Sequence, residues 1–157
     1  RGEHEGLEYA PDADADVGVI VAGIDGDPVD GVHVANMLHQ PVEAVYKTLV
    51  TQANTKEYLV YMLPVEKELD LKKCAKIAGV KSCEMIHVKD INKITGYIRG
   101  GCSPLGMKKQ FRTFIEMDCL NQDKIYFSAG KIGMQIEMDP KTLMDLIHVQ
   151  AVDITKE

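Results

Sequence analysis

The β-rich runs of this chain do not alternate with helices, and that arrangement constrains its fold more than any other feature. "VYKTLVT" (45–51) and "EYLVYMLP" (57–64) follow one another with only the polar "QANTK" between them. Before them "VGVIVAGI" (17–24) reads as a buried strand. After them come "QFRTFIEM" (110–117), "KIYFSAG" (124–130) and "GMQIEM" (133–138), the last two as a hairpin around Ala129 to Gly133. A doubly wound sheet needs strict strand–helix alternation, so it is excluded. The expectation is a mixed α/β fold: a curved, mostly antiparallel, barrel-like sheet with helices packed outside.

The helices have clear punctuation. Asp70 caps "LKKCAKIA", whose Leu71, Cys74, Ala75 and Ala78 form an apolar stripe, and Gly79 ends it. Asp30 opens a helix running to Leu38, and Pro41 fits the first turn of a further short one. A short helix is expected around Val88 to Ile94. Asp139 caps another, with Pro140 in its first turn. Residues 1–16, with the acidic "PDADAD", read as a mobile terminus, and "DGDP" (25–28) as a turn.

At 157 residues the chain suits one domain, 1–157, with a core that needs no covalent staples. No apolar run approaches the roughly 18 residues of a membrane span, and no leader pattern opens the sequence. Cys74, Cys83, Cys102 and Cys119 are scattered, without CxxC or zinc spacing, which fits a reducing, cytoplasmic setting. His4, His33, His39, His87 and His148 form no i, i+4 pair, so neither a metal nor a cofactor is expected. A net charge of −6 argues against broad nucleic-acid binding, yet Arg99, Lys108, Lys109 and Arg112 gather in one region. That cluster suits either a phosphate backbone or a solvated face.

Three features invite chemistry. Lys47 shares a strand face with Val45 and Leu49, so it either snorkels at an edge or is held in a pocket, where it could anchor a phosphate, carbonyl or carboxylate. "TGYIRGGCSPLGMKK" (95–109) is a glycine-rich loop whose N–H groups could approach a phosphate or an oxyanion. It is neither a Walker sequence, since Lys108 is followed by Lys109, nor a nucleophile elbow. No base near Ser103 supports it as a nucleophile, and Cys102 fares little better. "YFSAGKIG" (126–133) adds a second turn of small residues with a hydroxyl and a lysine; alone it is a hairpin connection.

"VYKTLV", "LDLKKCAKIAGVKSCEM", the 95–109 loop and "IYFSAGKIGMQIEM" stand in the order and spacing of the YbaK/EbsC family of aminoacyl-tRNA deacylases, which the chain resembles from about Asp30 onward. The family is related to the editing domain of bacterial prolyl-tRNA synthetases. The resemblance implies a barrel-like editing fold and a trans-editing enzyme clearing mischarged Cys-tRNA(Pro). It implies Lys47 as the essential lysine, with Gly100 and Gly101 near the scissile ester. Thr95, Ser103 and Ser128 are expected at the substrate, and Arg99, Lys108 and Lys109 at the tRNA. In the cysteine branch the substrate's thiol attacks its own ester, which needs no protein nucleophile. The expected hole for the oxyanion is the pair of N–H groups at Gly100 and Gly101, with Lys47 orienting the aminoacyl-adenosine end. The tRNA is the implied partner, prolyl-tRNA synthetase a second, and no membrane is involved. Two alternatives stand beside this: hydrolysis of another small amino acid, as in Ala-tRNA(Pro), and a non-catalytic tRNA- or synthetase-binding module. The sequence departs from the family at Gln135, where relatives of the cysteine branch carry aspartate. It departs also in residues 1–27, where the family's pocket tyrosine has no counterpart: Tyr9 lies too far before Lys47, and Val21 and Ala22 stand nearer.

Overall fold

Strand β4 (Tyr58–Pro64) organises the molecule, buried from 59 to 64 without a break. Such a run marks a central strand covered on both faces. The computed structural model describes residues 7–11, 17–22 and 30–157. On one side of β4 lies β3 (Tyr46–Ala53), antiparallel, with Lys47 opposite Leu63 and Thr48 opposite Met62. On the other lies β6 (Arg112–Glu116), parallel. β5 (Cys83–Met85) and β9 (Val149–Val152) complete a five-stranded sheet in the order β5-β3-β4-β6-β9. A second sheet, antiparallel throughout, runs β1-β2-β8-β7 from β1 (Leu7–Pro11), β2 (Val17–Ala22), β8 (Met134–Met138) and β7 (Ile125–Ser128).

Side-chain alternation along β4 sorts two cores. Leu59, Tyr61 and Leu63 join Phe114 of β6 against Cys74, Ala75 and Ala78 of α2 (Leu71–Ala78). The Tyr61 and Phe114 rings stack there at 5.3 Å. Met62 points the other way, with Tyr46 and Ile115, onto Ile125, Phe127 and Met138 of the second sheet and Leu143 of α4 (Pro140–Leu146).

The helix signals are realised by hydrogen bonds. Asp70 accepts from the Lys72 and Lys73 amides at 3.0 and 3.1 Å, and Gly79 closes α2 at φ +75°. Asp30 accepts from Val32 and His33 at the start of α1 (Gly31–Met37). Asp139 accepts from Lys141 at 2.8 Å, with Pro140 in the first turn of α4. Each such cap is worth about 1 kcal/mol. Pro41 precedes a single 3₁₀ turn, Val42–Ala44, rather than an α-helix. Between 88 and 95 a 3₁₀ turn leads into the short α3 (Ile91–Thr95).

Two expectations are corrected. Among the described residues no closed barrel forms: the strands divide into two sheets, and the first is mixed through the parallel pairs β4–β6 and β6–β9. Backbone pairing between the sheets is limited, among those residues, to the isolated bridge of Val45 with Tyr126. Residues 7–11 of the supposed mobile terminus are the edge strand β1, whose register pairs Leu7 with Ala22 and Pro11 with Gly18. Pro11 suits an edge because it cannot donate to a ladder. β5 has no counterpart in the expectations, since three residues with one buried side chain carry no period. The "DGDP" turn lies outside the described residues, and so do the side chains of Tyr9, Val21 and Ala22.

Candidate functional site

A cavity of about 620 Å³ opens at the seam between the sheets. Its walls are the first half of β3, the start of α1, the loop that follows β5, and the turn between β7 and β8. Lys47 lines it, half-buried, with Nζ donating to the Val65 carbonyl at 3.4 Å. Burial holds its pKa below the usual lysine range, opposed by the charge of Glu68. Here, among the described residues, β3 has a ladder partner on one side only, because β5 begins pairing at Thr51. The open side is where the cavity forms, so Lys47 occupies a pocket wall. Helix α1 closes against that wall because Gly31 has no side chain: a Cβ there would stand 2.3 Å from Val65 Cγ1.

The glycine loop supplies the facing wall. Arg99, Gly100 and Cys102 line the cavity. Gly100 sits at φ +83°, a conformation natural to glycine, and its N–H has no partner among the described residues. Gly101 differs. Its N–H donates to the Ile98 carbonyl at 3.0 Å and closes a tight turn. Of the two expected donors, the Gly101 N–H is thus engaged within the loop and the Gly100 N–H has no partner among the described residues.

Thr95 and Ser103 are also redirected: both are buried and neither lines the cavity. The Thr95 hydroxyl donates to the Ile91 carbonyl and accepts from the Tyr97 amide, while Ser103 Oγ accepts from the Leu105 amide. They hold the loop's shape. Ser128 does line the cavity, with its Oγ accepting from the Gly130 amide at 3.1 Å.

The basic cluster disperses. Arg99 stays at the mouth. Lys108 donates to the Lys93 carbonyl and lays its stem over Gly96, while Lys109 is exposed and lies outside the lining. Arg112 forks onto Glu57 at 2.9 and 3.1 Å and also donates to the Ala78 carbonyl.

The thiol of Cys102 is pushed up to about 11 by burial, against a hydrogen bond with Thr95. It is protonated at neutral pH and a poor nucleophile. Gln135 lines the cavity and forms a reciprocal amide pair with Gln40, at 2.7 and 3.2 Å. The departure at 135 thus replaces a carboxylate by a neutral group whose orientation is fixed.

Tyr97 ties the two walls together. A Cβ on Gly130 would stand 2.8 Å from Tyr97 Cε1, and one on Gly106 2.8 Å from the Tyr97 hydroxyl, which donates to the Leu105 carbonyl. Sequence reasoning missed Tyr97, Gly31 and Gln40. It noted the lysine of the 126–133 turn without assigning it; Lys131 lines the cavity.

Residues 30–146 match the model of the aminoacyl-tRNA editing domain. The chain belongs to this family. It is 46% identical over 129 residues to a protein of Enterococcus faecalis (strain ATCC 700802 / V583), covering 82% of this chain and 79% of that protein. That relative carries the provisional name Cys-tRNA(Pro)/Cys-tRNA(Cys) deacylase EbsC. Solved structures share the fold at 18% identity. One is described as a candidate trans-editing enzyme for prolyl tRNA synthetase, with TM-score 0.80 over 92% of this chain and 90% of that one. Another is the hypothetical protein APE2540, with TM-score 0.80 over 88% and 90%. In this editing domain the cavity, Lys47 and Gly100 all fall within the matched span.

Proposed function

We propose that the chain is a trans-editing deacylase that releases cysteine from mischarged Cys-tRNA(Pro), with the substrate's own thiol as nucleophile. The observation that carries this is the lining of the cavity: the half-buried Lys47 and Gly100, whose N–H has no partner among the described residues, stand there beside a thiol held protonated and a Ser128 hydroxyl already bonded within its turn. Such a site positions and stabilises charge, and it leaves the attack to the ligand. The name of the 46% identical relative supports the choice of ester.

In this mechanism the cysteinyl sulfur loses its proton and attacks the ester carbonyl. A C–S bond forms and the carbonyl oxygen becomes an oxyanion. The bond to the terminal ribose oxygen then breaks, and that oxygen takes up, by way of solvent water, the proton the thiol gave up, giving free tRNA and a cysteine thiolactone. The Gly100 N–H donates to the oxyanion, and the Lys47 ammonium orients the aminoacyl-adenosine end beside it. Arg99 at the mouth is the cation of the loop best placed for the acceptor end, with Lys109 exposed on the surface beyond. Prolyl-tRNA synthetase is the natural source of the substrate and a partner on that ground.

Single-turnover release from tRNA(Pro) charged with cysteine, alanine or serine tests the reading. The expected result is rapid loss of cysteine only, collapse on Lys47→Ala, and near-normal rates for Cys102→Ala. Equal release of alanine would replace thiol assistance by hydrolysis. Binding without release of any of the three would leave a non-catalytic module.

A further inference from the structure

Two large apolar side chains stand exposed next in sequence to residues that line the cavity: Ile98 at 53% and Ile132 at 40%. They come from different walls, one from the glycine loop and one from the turn between β7 and β8. Gly101 lies between the Ile98 side chain and the Ile132 backbone. A methyl group placed there would meet Ile98 Cγ1 and the Ile132 amide nitrogen at 3.5 Å each. Each isoleucine is also the chain neighbour of a cation that lines the cavity, Arg99 and Lys131. Neither cation is in an ion pair among the described residues. Two apolar–cation dipeptides thus converge on one glycine, held in register by the Tyr97 ring against Gly130.

The charge of this rim selects its occupant. Among the described residues Lys47, Arg99 and Lys131 line the cavity against a single acid, Asp30, on a protein whose net charge is −6. An apolar peptide would satisfy the isoleucines and leave the cations idle. A nucleotide satisfies both, with its base face on the apolar pair and its phosphate on the cations.

Resting on the editing reading above, we propose that Ile98, Ile132, Arg99 and Lys131 hold the unpaired nucleotide preceding the ester-bearing one. Its base lies across the two isoleucines and its phosphate between the two cations. The surface aligns the strand so that the terminal ester enters the cavity towards Lys47 and Gly100.

The test uses uncharged tRNA(Pro), and the same tRNA lacking its unpaired 3′ nucleotides, titrated against the full chain by fluorescence anisotropy. Wild-type protein should lose affinity on truncation. The Ile98→Ser/Ile132→Ser double variant should bind intact tRNA on the order of fivefold more weakly, through the apolar contact area lost to the base. It should bind truncated tRNA as wild type does. Arg99→Gln with Lys131→Gln should flatten the salt dependence by about 0.7 for each phosphate no longer neutralised. Both substitutions lie on the surface, and unchanged circular dichroism would show that the variants fold. Equal truncation ratios for wild type and the isoleucine variant would overturn the proposal, and so would an unchanged salt slope. A protein that shows the truncation effect but deacylates nothing would keep this surface and defeat the editing chemistry, so the two failures are distinct.

Discussion

Replacing Gly130 by alanine tests whether the two walls of the site are held together by Tyr97. Two costs are legible in the geometry. Gly130 sits at φ +103°, where an alanine is strained by about 1–3 kcal/mol. Its new Cβ would also stand 2.8 Å from Tyr97 Cε1, about 0.6 Å inside ordinary contact. The ring cannot simply swing away, because the same side chain rests on Gly106 and donates to the Leu105 carbonyl. Overpacking of this kind adds roughly 1–3 kcal/mol. In a Tyr97→Ala background the second cost vanishes and the first remains. Urea unfolding of wild type, both single variants and the double variant measures the difference. The expected coupling between the two sites is roughly 1–3 kcal/mol, well above the few tenths seen for independent positions. With a slope of about 1–3 kcal/mol per molar urea, the Gly130→Ala midpoint should fall by about a molar or more in wild type. If Gly130→Ala costs the same in both backgrounds, the ring does not fix the turn, and the argument for a pre-built rim loses its brace.

Lys47→Met should abolish release while leaving stability at pH 7 equal or raised, because it removes an ammonium that burial penalises. The folded pKa lies below the ordinary 10.5, so the unfolded chain binds the extra proton and wild-type stability climbs with pH between the two values. Thermal melts of the two proteins across alkaline pH should show that climb in wild type alone, whereas wild-type activity falls as the ammonium is lost. Arg112→Ala should cost no more than about 1 kcal/mol through the Glu57 pair, since both side chains are nearly half exposed, and deacylation should be unchanged.

Much of the fold is written in local signals. Asp30, Asp70 and Asp139 act as caps because a short carboxylate at the right step reaches the first free amides, which is a local fact. Lys47 stands out because the strand period places it among apolar residues. What was not legible depends on partners distant in sequence. Nothing in "TGYIRGG" says that the Gly101 amide turns back to Ile98 while the Gly100 amide stays open. Nothing in "DGVHV" says that Gly31 is needed by Val65. Thr95 and Ser103 have the chemistry of substrate contacts, yet their hydroxyls bond within a few residues of themselves, as such side chains often do in loops. β5 is a strand only because the edge of β3 offers it a ladder at 51–53. The barrel expectation failed for a related reason: whether strands close a ring depends on crossovers, and β4–β6–β9 runs parallel through connections that no strand pattern reveals.

The burial of Cys102 has a consequence for the redox chemistry of the pocket. Thiol–disulfide exchange proceeds through the thiolate. With its pKa pushed up to about 11 by burial, Cys102 is held as the thiol at neutral pH. A disulfide-bearing molecule that entered the cavity would therefore meet no thiolate at Cys102 to attack its S–S bond, and the wall would not exchange onto it. The same desolvation that disqualifies Cys102 as a nucleophile keeps the pocket from being capped by such a molecule.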